Sequence, residues 1–340
     1  MSKSWQEWTA ENLGRNCDPV GVVQVLMKNN FPMQAIQEMM GSHFPSDSPI
    51  VAPYPPKPTA TPRVIEESRL RGKRASIAAM QASLRSLRTR PLRVECVSAM
   101  SPEDFVQDFY SANRPVLLSG MMSDWSAPQK WTPDYLKATC GTEIVEIMAA
   151  RDTNALYEID DVPHREQVSF AQFVDMVNAG GRTNDYYLTA RNSFFLRPGT
   201  QPLRNDFTVF SDFLKPGTDQ GVFFWYGPAG TITPLHHDET NIFMAQVTGR
   251  KRIILVPSNE VDLVYNHRGV YSQVDAGNPD YARFPKYADA SIHEVELGPG
   301  EVLFLPVGWW HYVQALDVSI TITFNNFKFQ NEYRWQHPAA

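Results

Sequence analysis

Residues 233–256 read TPLHHDETNIFMAQVTGRKRIILV, and this stretch decides the fold. NIFMAQV and KRIILV are rich in β-branched and aromatic residues, and GRKR lies between them as a turn. The pattern predicts two successive strands. The same texture recurs outward, about every 8–15 residues, in YYLTA, VFFWYG, IHEVEL, EVLFLP, HYVQAL and SITITFNNF. Gly, Pro, Asn or Asp separates these segments. Short strands at such spacing predict an all-β sandwich or barrel. Helices precede it. SPEDFVQDFYSANRPVLLSGM opens with a cap (Ser101, Pro102, Glu103) and continues into a strand. KWTPDYLKATCG and SFAQFVDMVNAGG each end on glycine, as helices commonly do.

The chemistry lies in the β region. In an extended segment residues i and i+2 share a face, so His236 and Asp238 converge while His237 points away. A third ligand can come from a distant strand. His311, in LGPGEVLFLPVGWWHYV (297–313), is the natural candidate, and His237 is its rival. Two histidines and one carboxylate form a facial triad with three open cis positions, as non-haem Fe(II) oxygenases use. Lys251 stands 13 positions past Asp238 on the next strand. Arg250 and Arg252 alternate with it and are expected at the surface.

Taken together, residues 94–329 resemble the Jumonji-C, cupin-fold, Fe(II)- and 2-oxoglutarate-dependent oxygenases, most strongly over 221–327. The likeness rests on TPLHHDETNIFMAQVTGRKRIILVP, GEVLFLPVGWWHYV and SITITFNNF. It is greatest for the hydroxylase branch that includes the asparaginyl hydroxylase of hypoxia-inducible factor. The resemblance implies a mainly β chain with flanking helices around a double-stranded β-helix (jelly-roll, cupin) core. It implies that His236, Asp238 and His311 hold Fe(II), with 2-oxoglutarate and O2 as cosubstrates. Lys251 and Thr233 would meet the distal carboxylate of 2-oxoglutarate, where a buried dianion needs a charge-assisted contact. Asn325 and, more loosely, Tyr187 match further cosubstrate contacts. The asparaginyl hydroxylase has an asparagine four residues after its iron aspartate. Here Ile242 holds that position, and Asn241, one residue earlier, would take a shifted role.

The implied reaction is hydroxylation of a C–H bond, with a protein or peptide side chain as leading substrate. The alternatives are a small molecule or tRNA base, N-methyl-lysine demethylation, and a non-catalytic cupin that only binds. A metal-dependent isomerase on the same fold is a further rival.

The 93 residues before this region divide by composition. Residues 1–44 have apolar residues at helical spacing and read as a small helical module, with Asp18-Pro19 as a helix start. Residues 45–63 hold seven prolines and read as a linker. Residues 64–93 read as a basic helix with a break near Gly72, and 94–330 as the oxygenase domain, leaving 331–340 as a tail. From Arg63 to Arg93 eight Arg and one Lys face Glu66 and Glu67, a net +7. The remainder of a chain whose total is −6 therefore carries about −13. That total argues against bulk nucleic-acid affinity, although the basic helix keeps an RNA partner open. Any homodimer is expected to form through the N-terminal helices. No run of about 18 apolar residues offers a membrane span. Three cysteines are too few for a disulfide framework or thiolate metal cluster, and the polar N-terminus lacks a signal core, so a cytoplasmic location is expected.

Overall fold

A computed structural model describes residues 4–15, 17–45, 64–87, 92–98, 100–217 and 220–333 (64–68 as backbone). It divides into two compact units, Met1–Ala79 and Met80–Ala340. In the first, α1 (Trp5–Gly14), α2 (Pro19–Lys28) and α3 (Met33–Met40) enclose a small core of Val22, Val23, Leu26, Ile36 and Met40. Asp18 caps α2 by accepting from the backbone amides of Val20 and Gly21, with Pro19 at the first helical position. The basic segment forms α4 (Val64–Ser86), which runs through Gly72 without the expected break. One glycine costs a helix only about 1 kcal/mol, and the Ala, Arg, Leu and Lys around it are strong helix formers. Apart from Pro45, the proline-rich segment lies outside the described residues.

The second unit opens with β1 (Glu95–Val97), α5 (Pro102–Phe105) with a π-turn over Val106–Tyr110, and β2 (Val116–Ser119). Next come α6 (Ala127–Lys130), α7 (Pro133–Cys140), β3 (Ile144–Met148), β4 (Arg165–Ser169) and α8 (Phe170–Asn178). Ser101, Thr132 and Ser169 cap α5, α7 and α8. Eight further strands follow. They are β5 (Val222–Gly227), β6 (Ile232–His236), β7 (Ile242–Thr248), β8 (Lys251–Val256), β9 (His293–Leu297), β10 (Glu301–Leu305), β11 (Trp310–Ala315) and β12 (Ser319–Phe324).

These eight strands build the double-stranded β-helix. The larger sheet has the order β1-β2-β10-β7-β12-β5 and the smaller one β6-β11-β8-β9. Alternation along the strands sorts apolar residues into three layers. Phe224, Tyr226, Phe243, Phe304, Ile322 and Phe324 leave the outer face of the large sheet and pack under the helices. Met244, Ile253, Leu255, Leu303, Leu305 and Val313 fill the space between the sheets. Ile254, Val256, Trp310 and Tyr312 leave the outer face of the small sheet and are covered by Val264, Val274, Phe284 and Tyr287.

Two further expectations change. YYLTA (186–190) is not a strand. Tyr187 and Leu188 make single bridges to Met148 and Tyr226 before the chain turns into a 3-10 helix at Ala190. Asn331 is part of the domain rather than a tail. Its amide donates to the carbonyls of Asn241 and Asn325 (3.0 and 2.6 Å), and the Tyr110 hydroxyl donates to the Gln330 carbonyl (2.8 Å). Among the described residues no helix is long and apolar enough to cross a membrane.

The β7–β8 turn sets the register of Lys251. Gly249 has φ +69°, and a β-carbon there would lie 2.1 Å from the Val318 carbonyl oxygen. Gly249→Ala should destabilise the domain by about 1–3 kcal/mol, read as a lower urea midpoint. An unchanged midpoint would mean that the turn yields without cost.

Candidate metal centre

His236 ends β6, and His311 is the second residue of β11. They stand directly opposite each other in antiparallel register, so both rings leave the same face. Their centroids are 4.0 Å apart. Asp238 lies just past β6, its carbonyl accepting from the Gly308 amide (3.0 Å) in the β10–β11 turn. Its carboxylate approaches His236 Nε2 to 4.0 Å and His311 Nε2 to 3.6 Å. One ligand atom from each of the three residues lies within 4.8 Å of the others.

The backbone fixes how both imidazoles present themselves. Pro234 and Trp309 carbonyls accept from Nδ1 of His236 (2.8 Å) and His311 (3.0 Å). Each neutral ring therefore keeps its lone pair on Nε2, toward Asp238. Burial, and then the neighbouring His236, hold the His311 imidazole well below its ordinary pKa, so it is neutral at physiological pH, as a ligand must be. Two imidazole nitrogens and a carboxylate oxygen, with no thiolate in the group, suit Fe(II). His237 packs edge-on against Trp310 (4.7 Å), away from this cluster.

A β-bulge completes the inner wall. His311 pairs with His236 but Val313 pairs with Thr233, so two steps on β11 answer three on β6. Strict alternation would put Thr233 and His236 on opposite faces, and the bulge turns both inward. Lys251 shares the inner face of β8 with Ile253 and Leu255 and stands opposite Ala315, whose small side chain leaves it room. Phe223 and Trp225 on β5 face inward opposite Thr323 and Thr321. Trp225 Nε1 donates to Thr323 Oγ1 (2.9 Å). Phe224, Tyr226 and Phe327 lie in the outer core instead.

Lys251 is only 2% exposed. Its ammonium donates to the Tyr187 hydroxyl at 3.2 Å, and among the described residues no carboxylate pairs with it. Burial alone lowers its pKa to about 7. Burial, more than any other cause, raises that of Tyr187 against the nearby Arg151 cation. Arg250 pairs with Asp317 and Glu296, and Arg252 with Glu294, at the surface as expected.

Asn325 continues the inward parity of Thr321 and Thr323 just past β12, its backbone N–H donating to the Gly221 carbonyl (2.9 Å). Asn241 serves a different end from the shifted cosubstrate contact expected of it. It is 1% exposed, its Oδ1 accepts from the Val307 amide (2.8 Å), and its Nδ2 donates to Asn331 (2.8 Å). These bonds tie it to the β10–β11 turn and the C-terminal segment. Arg151, which the sequence pattern does not single out, is buried beside Tyr187. Its one signal is an arginine directly after the largely apolar segment IVEIMAA.

A family profile described as a cupin-like domain matches residues 102–333. The chain is 35% identical over 240 residues to the lysine-specific demethylase JMJ30 of Arabidopsis thaliana, covering 68% of this chain and 54% of that protein. It is 31% identical over 233 residues to lysine-specific demethylase 8 of Xenopus tropicalis (66% and 50% covered). It is 29% identical over 253 residues to HSPB1-associated protein 1 of Homo sapiens (68% and 51%). The chain spans about half the length of the curated relatives it matches.

His311→Ala and Asp238→Ala should each weaken Fe(II) binding by more than about 100-fold under argon, read by calorimetry, while His237→Ala binds as the wild type does. Equal binding by His311→Ala would break the triad assignment.

Proposed function

The chain belongs to the cupin-like, Jumonji-C family of Fe(II)- and 2-oxoglutarate-dependent oxygenases, and from that membership we propose that it hydroxylates a C–H bond on a protein side chain. The observation that carries this reading is Lys251, an ammonium buried on the same inner wall as an open His-Asp-His cluster. A cupin that held a metal only for structure would have no use for such a cation.

In this reading His236, Asp238 and His311 hold Fe(II) and leave three adjacent positions free. When bound, the iron with 2-oxoglutarate and O2 supplies an oxidant able to break a C–H bond, yielding succinate and CO2 as coproducts. The chain's own residues bind and orient. Lys251, Thr233 and Tyr187 receive the distal carboxylate, with Asn325 at the end of the same wall. The Pro234 and Trp309 carbonyls keep both histidines in the ligating tautomer. Phe223 and Trp225 keep water from the inner wall.

A protein substrate is supported by two relatives named as lysine-specific demethylases. Those names also favour a second reading. Hydroxylation at an N-methyl carbon gives a carbinolamine that loses formaldehyde, so the same site would remove a methyl group from lysine.

Mass spectrometry of trapped partner proteins separates the readings. Hydroxylation predicts a +16 shift that requires both O2 and 2-oxoglutarate, and formaldehyde release with loss of a methyl group favours demethylation. No succinate under any condition would contradict both.

The lowered Lys251 pKa gives a pH signature. Above about pH 7 the free protein holds Lys251 mostly neutral, and the dianion favours its charged form. Binding at pH 8 should therefore take up nearly one proton, and affinity should fall as pH rises above 7, approaching about tenfold per pH unit. Calorimetry in buffers of different ionisation enthalpy reads the proton. Lys251→Met should abolish the uptake and weaken binding.

A further inference from the structure

Arg151 follows β3 and is 1% exposed. Its Nη2 donates to the Ile232 carbonyl (2.6 Å) and Glu158 Oε1 (3.0 Å), and its Nη1 donates to the Asn184 carbonyl (3.3 Å). The guanidinium carbon lies 4.3 Å from the ring centroid of Tyr157 and 5.3 Å from that of Tyr187. The Tyr157 hydroxyl donates to the same Ile232 carbonyl (3.1 Å), and Asn184 Oδ1 accepts from the Ile232 amide (2.7 Å). Both backbone polar groups of Ile232 are thus held from outside the strand ladder, and Ile232 precedes Thr233.

Balancing the charge of Glu158 would need one cation and no particular shape. Arg151 does more, because its planar fork reaches two backbone carbonyls while its face covers two tyrosine rings, which an ammonium cannot do. What it touches brackets the pocket. One contact is the ring of Tyr187, whose hydroxyl accepts from Lys251. The other is the residue before Thr233, at the bulge that turns Thr233 inward.

We propose that Arg151 is the positioning residue of the cosubstrate pocket, fixing Tyr187 and Thr233 so that with Lys251 they receive the distal carboxylate of 2-oxoglutarate. This rests on reading the site as a 2-oxoglutarate pocket. Arg151 acts at the carboxylate end and has no role at the metal.

Anaerobic calorimetry on the Fe(II)-loaded full chain tests it, comparing 2-oxoglutarate with 2-oxobutyrate, which lacks the distal carboxylate. Arg151→Lys preserves the charge opposite Glu158. It should weaken 2-oxoglutarate by about tenfold while leaving Fe(II) and 2-oxobutyrate affinities within about twofold of wild type. Tyr157→Phe removes one donor to Ile232 without stranding a charge. It should weaken 2-oxoglutarate by about threefold, and it carries the test if Arg151→Lys does not fold. Unchanged 2-oxoglutarate affinity in the folded variants overturns the proposal. A parallel loss of Fe(II) and 2-oxobutyrate also overturns it, since a merely structural arginine would do that. Failure of the wild type to bind 2-oxoglutarate would instead overturn the functional reading beneath it.

Discussion

An ammonium held inside a β barrel must either lose its proton or find an anion. Lys251 meets that constraint with a tyrosine hydroxyl and no carboxylate among the described residues, and burial alone depresses its pKa. The surrounding pieces suit an anion bound beside it. Ala315 leaves space opposite it, Thr233 is turned toward the same interior, and the His-Asp-His cluster stands on β11 and at the end of β6. A dianionic cosubstrate that also chelates a metal would satisfy the lysine and the triad together.

The fold serves this arrangement by holding distant segments in register. β6 and β11 are far apart in sequence, yet their pairing sets two imidazoles side by side, and backbone carbonyls fix the tautomer of each. The apolar layers on both sides of the barrel make that register stiff, because a one-residue slip would exchange core and surface along a whole strand. Asn241 and Asn331 add a polar latch at the β10–β11 turn, next to Gly308, which holds Asp238.

Much of this was legible in the sequence because it depends on local alternation. The core strands, the shared face of His236 and Asp238, the outward turn of His237 and the surface ion pairs of Arg250 and Arg252 all follow from a period of two. The rest depends on pairing between remote segments. No local pattern marks the bulge that brings Thr233 to the face of His236. Asn241 invited a cosubstrate role by its nearness to Asp238, and only the tertiary structure reveals the Val307 and Asn331 groups that engage it. Arg151 opens a short 3-10 turn, and beyond the nearby Tyr157 and Glu158 its partners Asn184, Tyr187 and Ile232 lie dozens of residues away.

On this reading one inner wall holds a metal through His236, Asp238 and His311 and an acid through Lys251. A crystal structure grown without oxygen from the full chain, Fe(II) and 2-oxoglutarate would test it most directly. Metal should be bonded to both Nε2 atoms and the Asp238 carboxylate, with the 2-oxo acid end on the metal and the distal carboxylate on Lys251 Nζ. Metal bound elsewhere, or a distal carboxylate turned away from Lys251, would contradict it.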